Sequence, residues 1–239
     1  MVVGLFQRNH AIMSWLKKVR TGEVDPQEWT AVSVADTNSA IVYLPIPKAA
    51  NTSIRTALLS TITGEFDPKV RVHRDPRLPK MLQAEALSVC KQDAFVFTVV
   101  RHPAQRIRSA FKNKIGKGKK VFGPARRVGI YRADDFTTFL TKLASVPSMS
   151  LDSHFRPQTE LLSVGMKDSR LKIYKMEELT ARWLEITDNI EAVTGVRLPP
   201  ELTKLNASGT KQQEPFTPEQ ERLINLLYEK DFETFGYEW

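Results

Sequence analysis

Apolar residues fall along this chain in short blocks separated by polar turns, and the blocks alternate between strand and helix periods. Residues 41–46 are a continuous apolar, β-rich run that Pro45 and Pro47 bring to a stop. Asn51, Thr52 and Ser53 follow with N-cap chemistry for a helix running toward Leu59. Residues 94–100, AFVFTVV, repeat the plan: an apolar strand, a turn of Arg101, His102 and Pro103, then a helix from about Ala104. In residues 134–144, Phe136, Phe139, Leu140 and Leu143 recur at the i, i+3, i+4, i+7 spacing of a core-packed helix. A short strand at 171–174 precedes an amphipathic helix over 177–193, which Gly195 closes as a C-terminal cap. Residues 205–213 are polar and glycine-bearing and read as a loop; the last helix starts at 217–221 with Pro218 in its first turn. Phe232, Phe235 and Tyr237 of the tail are expected to pack back on the core.

Strands alternating with helices predict an α/β fold with a parallel, P-loop-like sheet flanked by helices. The expected organisation is an N-terminal extension over 1–38 and one domain over 39–239. Within the extension, 11–19 suggest a short amphipathic helix that Trp15 and Trp29 would bury against the domain, with packing on a second subunit as the alternative.

Composition narrows the class. A chain of 239 residues, 41% of them hydrophobic, can bury the core of one enzyme-sized domain. One cysteine, Cys90, allows no internal disulfide and no thiolate metal site, and neither HExxH nor an EF-hand loop occurs. Arg8, Asn9 and His10 interrupt the first 20 residues, which predicts neither a signal peptide nor a membrane anchor and hence a cytoplasmic location. Charge is concentrated: 11 Lys and Arg lie between Arg101 and Arg132 with no Asp or Glu, whereas the chain's net charge is only +8. That segment is expected to face an anion, with residues 112–120 as a mobile basic loop; a solvated basic face is the alternative.

The two strand-turn-helix units share a chemical theme. Lys48 sits on the first turn, where the unpaired N–H groups and the positive end of the helix dipole suit a phosphate or sulfuryl group. It is not a Walker loop, since GxxxxGK[ST] places its lysine after the glycines, and the other reading is a solvated Lys48 beside a capped helix. In open parallel sheets ligands lie beyond the carboxyl ends of the strands, where Lys48 and Arg101 would share one anion. Ser109, eight residues after Arg101, reaches the same anion only if its helix leans over the site.

Three segments together resemble sulfotransferases that use 3′-phosphoadenosine 5′-phosphosulfate (PAPS), in the branch that includes Golgi carbohydrate sulfotransferases. PIPKAANTS at 45–53 is similar to the family's 5′-phosphosulfate loop and VVRHPAQRIRSAF at 99–111 to its 3′-phosphate motif. HFRPQTELL at 154–162, with IYKMEEL at 173–179, completes the resemblance, which covers about residues 40–239. It implies Lys48 at the oxygen bridging phosphate and sulfuryl group, Ala49, Ala50, Asn51, Thr52 and Ser53 around the 5′-phosphosulfate, and Arg101 with Ser109 on the 3′-phosphate. It also implies a carbohydrate acceptor and no obligatory metal. One cysteine and no anchor set the chain apart from the Golgi relatives. The base for the acceptor hydroxyl is open between His73, His154, an acidic residue and an acceptor-assisted route. His102 belongs to the turn beside Arg101, and His10 reads as a surface residue. Arg156 and Gln158 are placed to reach the cleft, and Lys211 is a candidate nucleotide or acceptor contact. The rivals are a basic nucleic-acid-binding protein, for which zinc-finger, RNP and helix-turn-helix signatures are missing, and a P-loop-type kinase using ATP. Oligomeric state is not encoded in any motif.

Overall fold

The computed structural model of the protein describes residues 31–33, 40–78, 80–116, 121–202 and 214–239. The expected helix at 11–19, Trp15, Trp29, His10, and the polar run with Lys211 lie outside the described residues. Strands β1 (Ala31–Ser33), β2 (Ile41–Leu44), β3 (Lys80–Met81), β4 (Phe95–Val100) and β5 (Lys172–Lys175) form one sheet in the order β3-β1-β2-β4-β5. The three strands β2, β4 and β5 are parallel, and helices flank them, which is the α/β sheet expected from the sequence. β1 pairs antiparallel with both β2 and β3, so residues 31–33 extend the sheet. Two- and three-residue strands are too short for a period-2 pattern, and sequence reading did not find them.

Every residue of β2 and β4 is buried, as parallel strands covered on both faces require. Their register pairs Ile41 with Phe95 and Leu44 with Thr98, and the Thr98 hydroxyl donates to the Leu44 carbonyl at 2.6 Å. β4 and β5 also run in register from Phe97 against Lys172 to Val100 against Lys175, so these two strands end level, two residues beyond the end of β2. Their following turns therefore open on one edge of the sheet. β2 stops at Leu44, two residues before the apolar run does, because Pro45 has no N–H to give a ladder.

α1 (Asn51–Thr63) follows β2 and ends at Gly64, whose φ of 73° is a left-handed C-cap. α2 (Gln83–Val89) precedes β4, and α3 (Pro103–Lys114) follows it, with Pro103 at the first position where a missing N–H costs nothing. α3 carries Lys112 and Lys114 in its last turn, so the expected basic loop over 112–120 is helical as far as Lys114, while 117–120 lie outside the described residues. Among the described residues, α4 (Gly123–Arg127), α5 (Phe136–Ala144), α6 (Gln158–Leu161), α7 (Leu179–Thr194) and α8 (Pro218–Phe235) are the remaining α-helices. α5 buries Phe139, Leu140 and Leu143, with Asp135 capping it through a bond from the Thr138 N–H. Gly195 closes α7 at φ 72°, and Thr217 and Gln220 cap α8 reciprocally around Pro218.

Two packed cores result. One joins the sheet to α1, α2 and α7 through residues such as Ile54, Leu58, Trp183 and Ile186. The other joins α3, α5 and α8 through Ile107, Phe139, Leu140, Ile224 and Tyr228, and includes Phe232 of the tail. Among the described residues no helix is long and apolar enough to cross a membrane.

Candidate active site

The turn after β2 is held in an unusual shape. Lys48 (φ 71°) and Ala50 (φ 53°) are both left-handed without being glycine, which costs roughly 1–2 kcal/mol each. The expected side-chain cap by Asn51, Thr52 or Ser53 does not form: Ala50 is the N-cap of α1, and no side chain caps it. The Asn51 side chain instead accepts from Arg55 Nε at 3.0 Å. The first N–H groups of an α-helix have no acceptor within that helix, and α1 starts three residues after Lys48. Strain of this kind persists where neighbouring groups fix the chain. Here Ala49 N–H donates to the Ile46 carbonyl at 3.2 Å, Arg106 Nε to the Pro47 carbonyl at 3.1 Å, and Arg101 Nη1 to the Lys48 carbonyl at 3.1 Å.

The last of these bonds brings the two basic turns together. Arg101 follows the last residue of β4, the parallel neighbour of β2, and burial lowers its pKa against the opposing pull of Glu177 and Tyr237. One guanidinium N–H is committed to Lys48; a guanidinium has five, so its cationic fork can serve an anion too. Ser109 is half-buried on α3, two turns beyond Arg101. His102 is fixed as part of the turn: its N–H donates to Glu177 Oε1 at 3.0 Å, and its Nε2 meets the Glu238 carbonyl at 2.8 Å.

Arg106 was not singled out from the sequence. It is fully buried, and its other two nitrogens donate to the Arg156 and Ser153 carbonyls, each at 2.8 Å. It thus ties the Lys48 turn to the segment containing His154. The available signal was a charged residue on the apolar face that Ala104, Ile107 and Ala110 bury. Arg156 and Gln158, expected in the cleft, are both buried; Arg156 Nη2 donates to the Met149 and Leu151 carbonyls.

The two candidate bases occupy different surroundings. His73 Nε2 lies 3.0 Å from the Thr52 hydroxyl, in the first turn of α1. A cleft of about 340 Å³ opens there, lined by Thr52, Val70, Arg71, Val72 and His73. A smaller one of about 180 Å³ shares Val70 and runs along Thr56, Leu59 and Thr63 of α1. His154 instead turns Nδ1 to Asp152 Oδ1 at 2.6 Å, under the edge of the Phe122 ring. Burial holds its imidazole below the usual histidine range and outweighs the Asp152 bond, while Lys114 and Arg106 push the same way as burial. For Asp152, burial acts upward, but the hydrogen bonds from His154 prevail and keep its pKa low. Burial and Asp152 thus act on this imidazole in opposite directions, with burial the stronger.

Residues 31–238 match the family model described as the sulfotransferase family. No curated protein and no solved structure matches the chain.

Proposed function

The chain belongs to the sulfotransferase family, and from that premise we propose that it moves a sulfuryl group from PAPS to a carbohydrate hydroxyl. The supporting observation is the 3.1 Å bond from Arg101 Nη1 to the Lys48 carbonyl. It makes one cationic edge from two turns, which suits a nucleotide bearing anionic groups at both its 5′ and 3′ positions. The donor set fits that ligand: one ammonium, one guanidinium and the first N–H groups of a helix.

When bound, PAPS supplies an activated sulfuryl group whose departure leaves negative charge on the bridging phosphate oxygen. Lys48 is assigned to that oxygen, where a cation favours the transition state over the ground state. Ala49, Ala50, Asn51, Thr52 and Ser53 hold the 5′-phosphosulfate, and Arg101 with Ser109 holds the 3′-phosphate. His73 accepts the acceptor's proton, because it stands on the cradle beside Thr52 and lines a cleft open to an acceptor. As the new sulfur–oxygen bond forms, the bond to the bridging oxygen breaks and the proton passes to His73. A second reading makes His154 the base, favoured by Asp152, which fixes Nδ1–H and leaves the Nε2 lone pair as the basic atom.

Transfer of labelled sulfuryl from PAPS to a panel of oligosaccharides tests the assignment. Lys48→Ala is expected to lower kcat by about 10²- to 10³-fold with little change in the acceptor KM. His73→Gln is expected to lose at least about 10²-fold. Small, equal effects of both substitutions would contradict these roles, and a large loss in His154→Gln alone would move the base to His154.

A further inference from the structure

Beyond the residues assigned to the nucleotide, a buried relay reaches the Arg101 turn from the far end of the chain. Arg101 follows the last residue of β4, where the sheet's ladder ends and its backbone groups need partners of another kind. Gln158 supplies both. Its side-chain Oε1 accepts from the Arg101 N–H at 2.9 Å, and its Nε2 donates to the Arg101 carbonyl at 2.8 Å. One amide group thereby holds the turn as a neighbouring strand would, from a residue that is completely buried.

Gln158 is itself held by Asp231 of α8, also completely buried. Asp231 Oδ2 accepts from the Gln158 N–H at 2.8 Å and from Nε2 at 3.4 Å. Asp231 Oδ1 accepts from the Thr159 N–H at 2.8 Å and from the Thr159 hydroxyl at 2.9 Å. The second bond to Nε2 settles which end of the amide is nitrogen, since a flipped amide would set oxygen against the carboxylate. A buried carboxylate is tolerated when several donors converge on it, as these four do.

We propose that Gln158 is a positioning residue for 3′-phosphate recognition, acting through the backbone of Arg101 with Asp231 as its support. The inference rests on the proposed role of Arg101. The guanidinium leaves a backbone that Gln158 pins at both N–H and carbonyl, and it must also reach the Lys48 carbonyl; a turn freed of the amide lets the fork wander from the anion. Gln158 itself touches no nucleotide.

The test is calorimetric titration of 3′-phosphoadenosine 5′-phosphate (PAP) and AMP, which differ by the 3′-phosphate, into the wild type, Arg101→Ala, Gln158→Leu and Gln158→Glu. Gln158→Leu is expected to lose about tenfold to a hundredfold in PAP affinity while AMP affinity stays within about twofold. Gln158→Glu keeps an acceptor for the Arg101 N–H, but when ionised it sets a carboxylate against the Arg101 carbonyl and Asp231. At about pH 8 it should match Gln158→Leu, and at about pH 5.5, protonated and able to donate again, its PAP-to-AMP ratio should return toward the wild-type ratio measured at the same pH. If Gln158→Leu fails to fold, the two pH values of Gln158→Glu decide. A proportional loss of both nucleotides, or a wild-type ratio in Gln158→Glu at about pH 8, would overturn the proposal while leaving Arg101's role intact. A wild type that does not distinguish PAP from AMP would overturn Arg101's role and this inference with it.

Discussion

At the residue scale, the two histidines sit in contrasting surroundings. His73 stands exposed against Thr52, whereas burial lowers the pKa of His154, whose Nδ1 faces Asp152. The buried histidine has a consequence for stability. Its folded pKa lies below the ordinary value of 6.5, so the unfolded chain takes up its proton first as pH falls. This contribution is therefore fully present above about pH 6.5 and is lost as pH drops through the lower folded value. Thermal unfolding followed from about pH 8 to pH 5 should show the Tm falling below about pH 6.5. His154→Gln should flatten that part of the curve, and an unchanged pH profile in the variant would contradict the assignment. Lys48 and Arg101 were legible as candidates because each lies on the turn that follows an apolar strand. The left-handed backbone at Lys48 and Ala50 was not, since neither is the glycine that advertises such a conformation.

At the element scale, legibility followed the length and strength of each pattern. The stripe of Phe136, Phe139, Leu140 and Leu143 identified α5, and Gly195 and the Thr217–Pro218 pair marked helix ends through local chemistry alone. β1 and β3 escaped because two or three residues carry no period. The turn between α6 and β5 depends on a contact far away in the chain. Gly165 donates its N–H to Gln83 Oε1 at 3.1 Å, Gln83 Nε2 donates to the Leu161 carbonyl at 2.7 Å, and a Cβ on Gly165 would collide with Leu44 Cδ1. Leu44 is the last residue of β2, so the packing there bears on the turn that presents Lys48. Gly165→Ala is expected to cost about 1–3 kcal/mol by overpacking, lowering the Tm by several degrees. Calorimetry checks this, and an unchanged Tm would mean that Leu44 yields without cost.

At the scale of the whole molecule, the basic turns are assembled by groups distant in sequence. Arg106, Gln158 and Asp231 join the ends of β2 and β4 to α6 and α8, and no local pattern announces a bond spanning 73 residues. The C-terminal tail closes over the same edge: Lys175 Nζ donates to the Gly236 carbonyl at 2.7 Å, and the Tyr237 hydroxyl donates to Glu177 Oε2 at 2.9 Å. The basic segment from Arg101 to Arg132 is likewise divided by the fold. Arg101 and Arg106 build the site, the Arg108 guanidinium lies 3.4 Å from the Phe216 ring centre, Lys114 Nζ lies 4.4 Å from that of Phe122, and Arg126, Arg127 and Arg132 are exposed. A charge count could locate the segment; only the fold shows which cations converge. Their proposed ligand is a nucleotide with a 3′-phosphate. Calorimetric titration of the wild-type protein with PAP, alongside ATP and AMP and without added metal, tests that proposal most directly. PAP is expected to bind at least about tenfold more tightly than either other nucleotide, and Arg101→Ala is expected to abolish the preference. Equal binding of all three, or none, would contradict it.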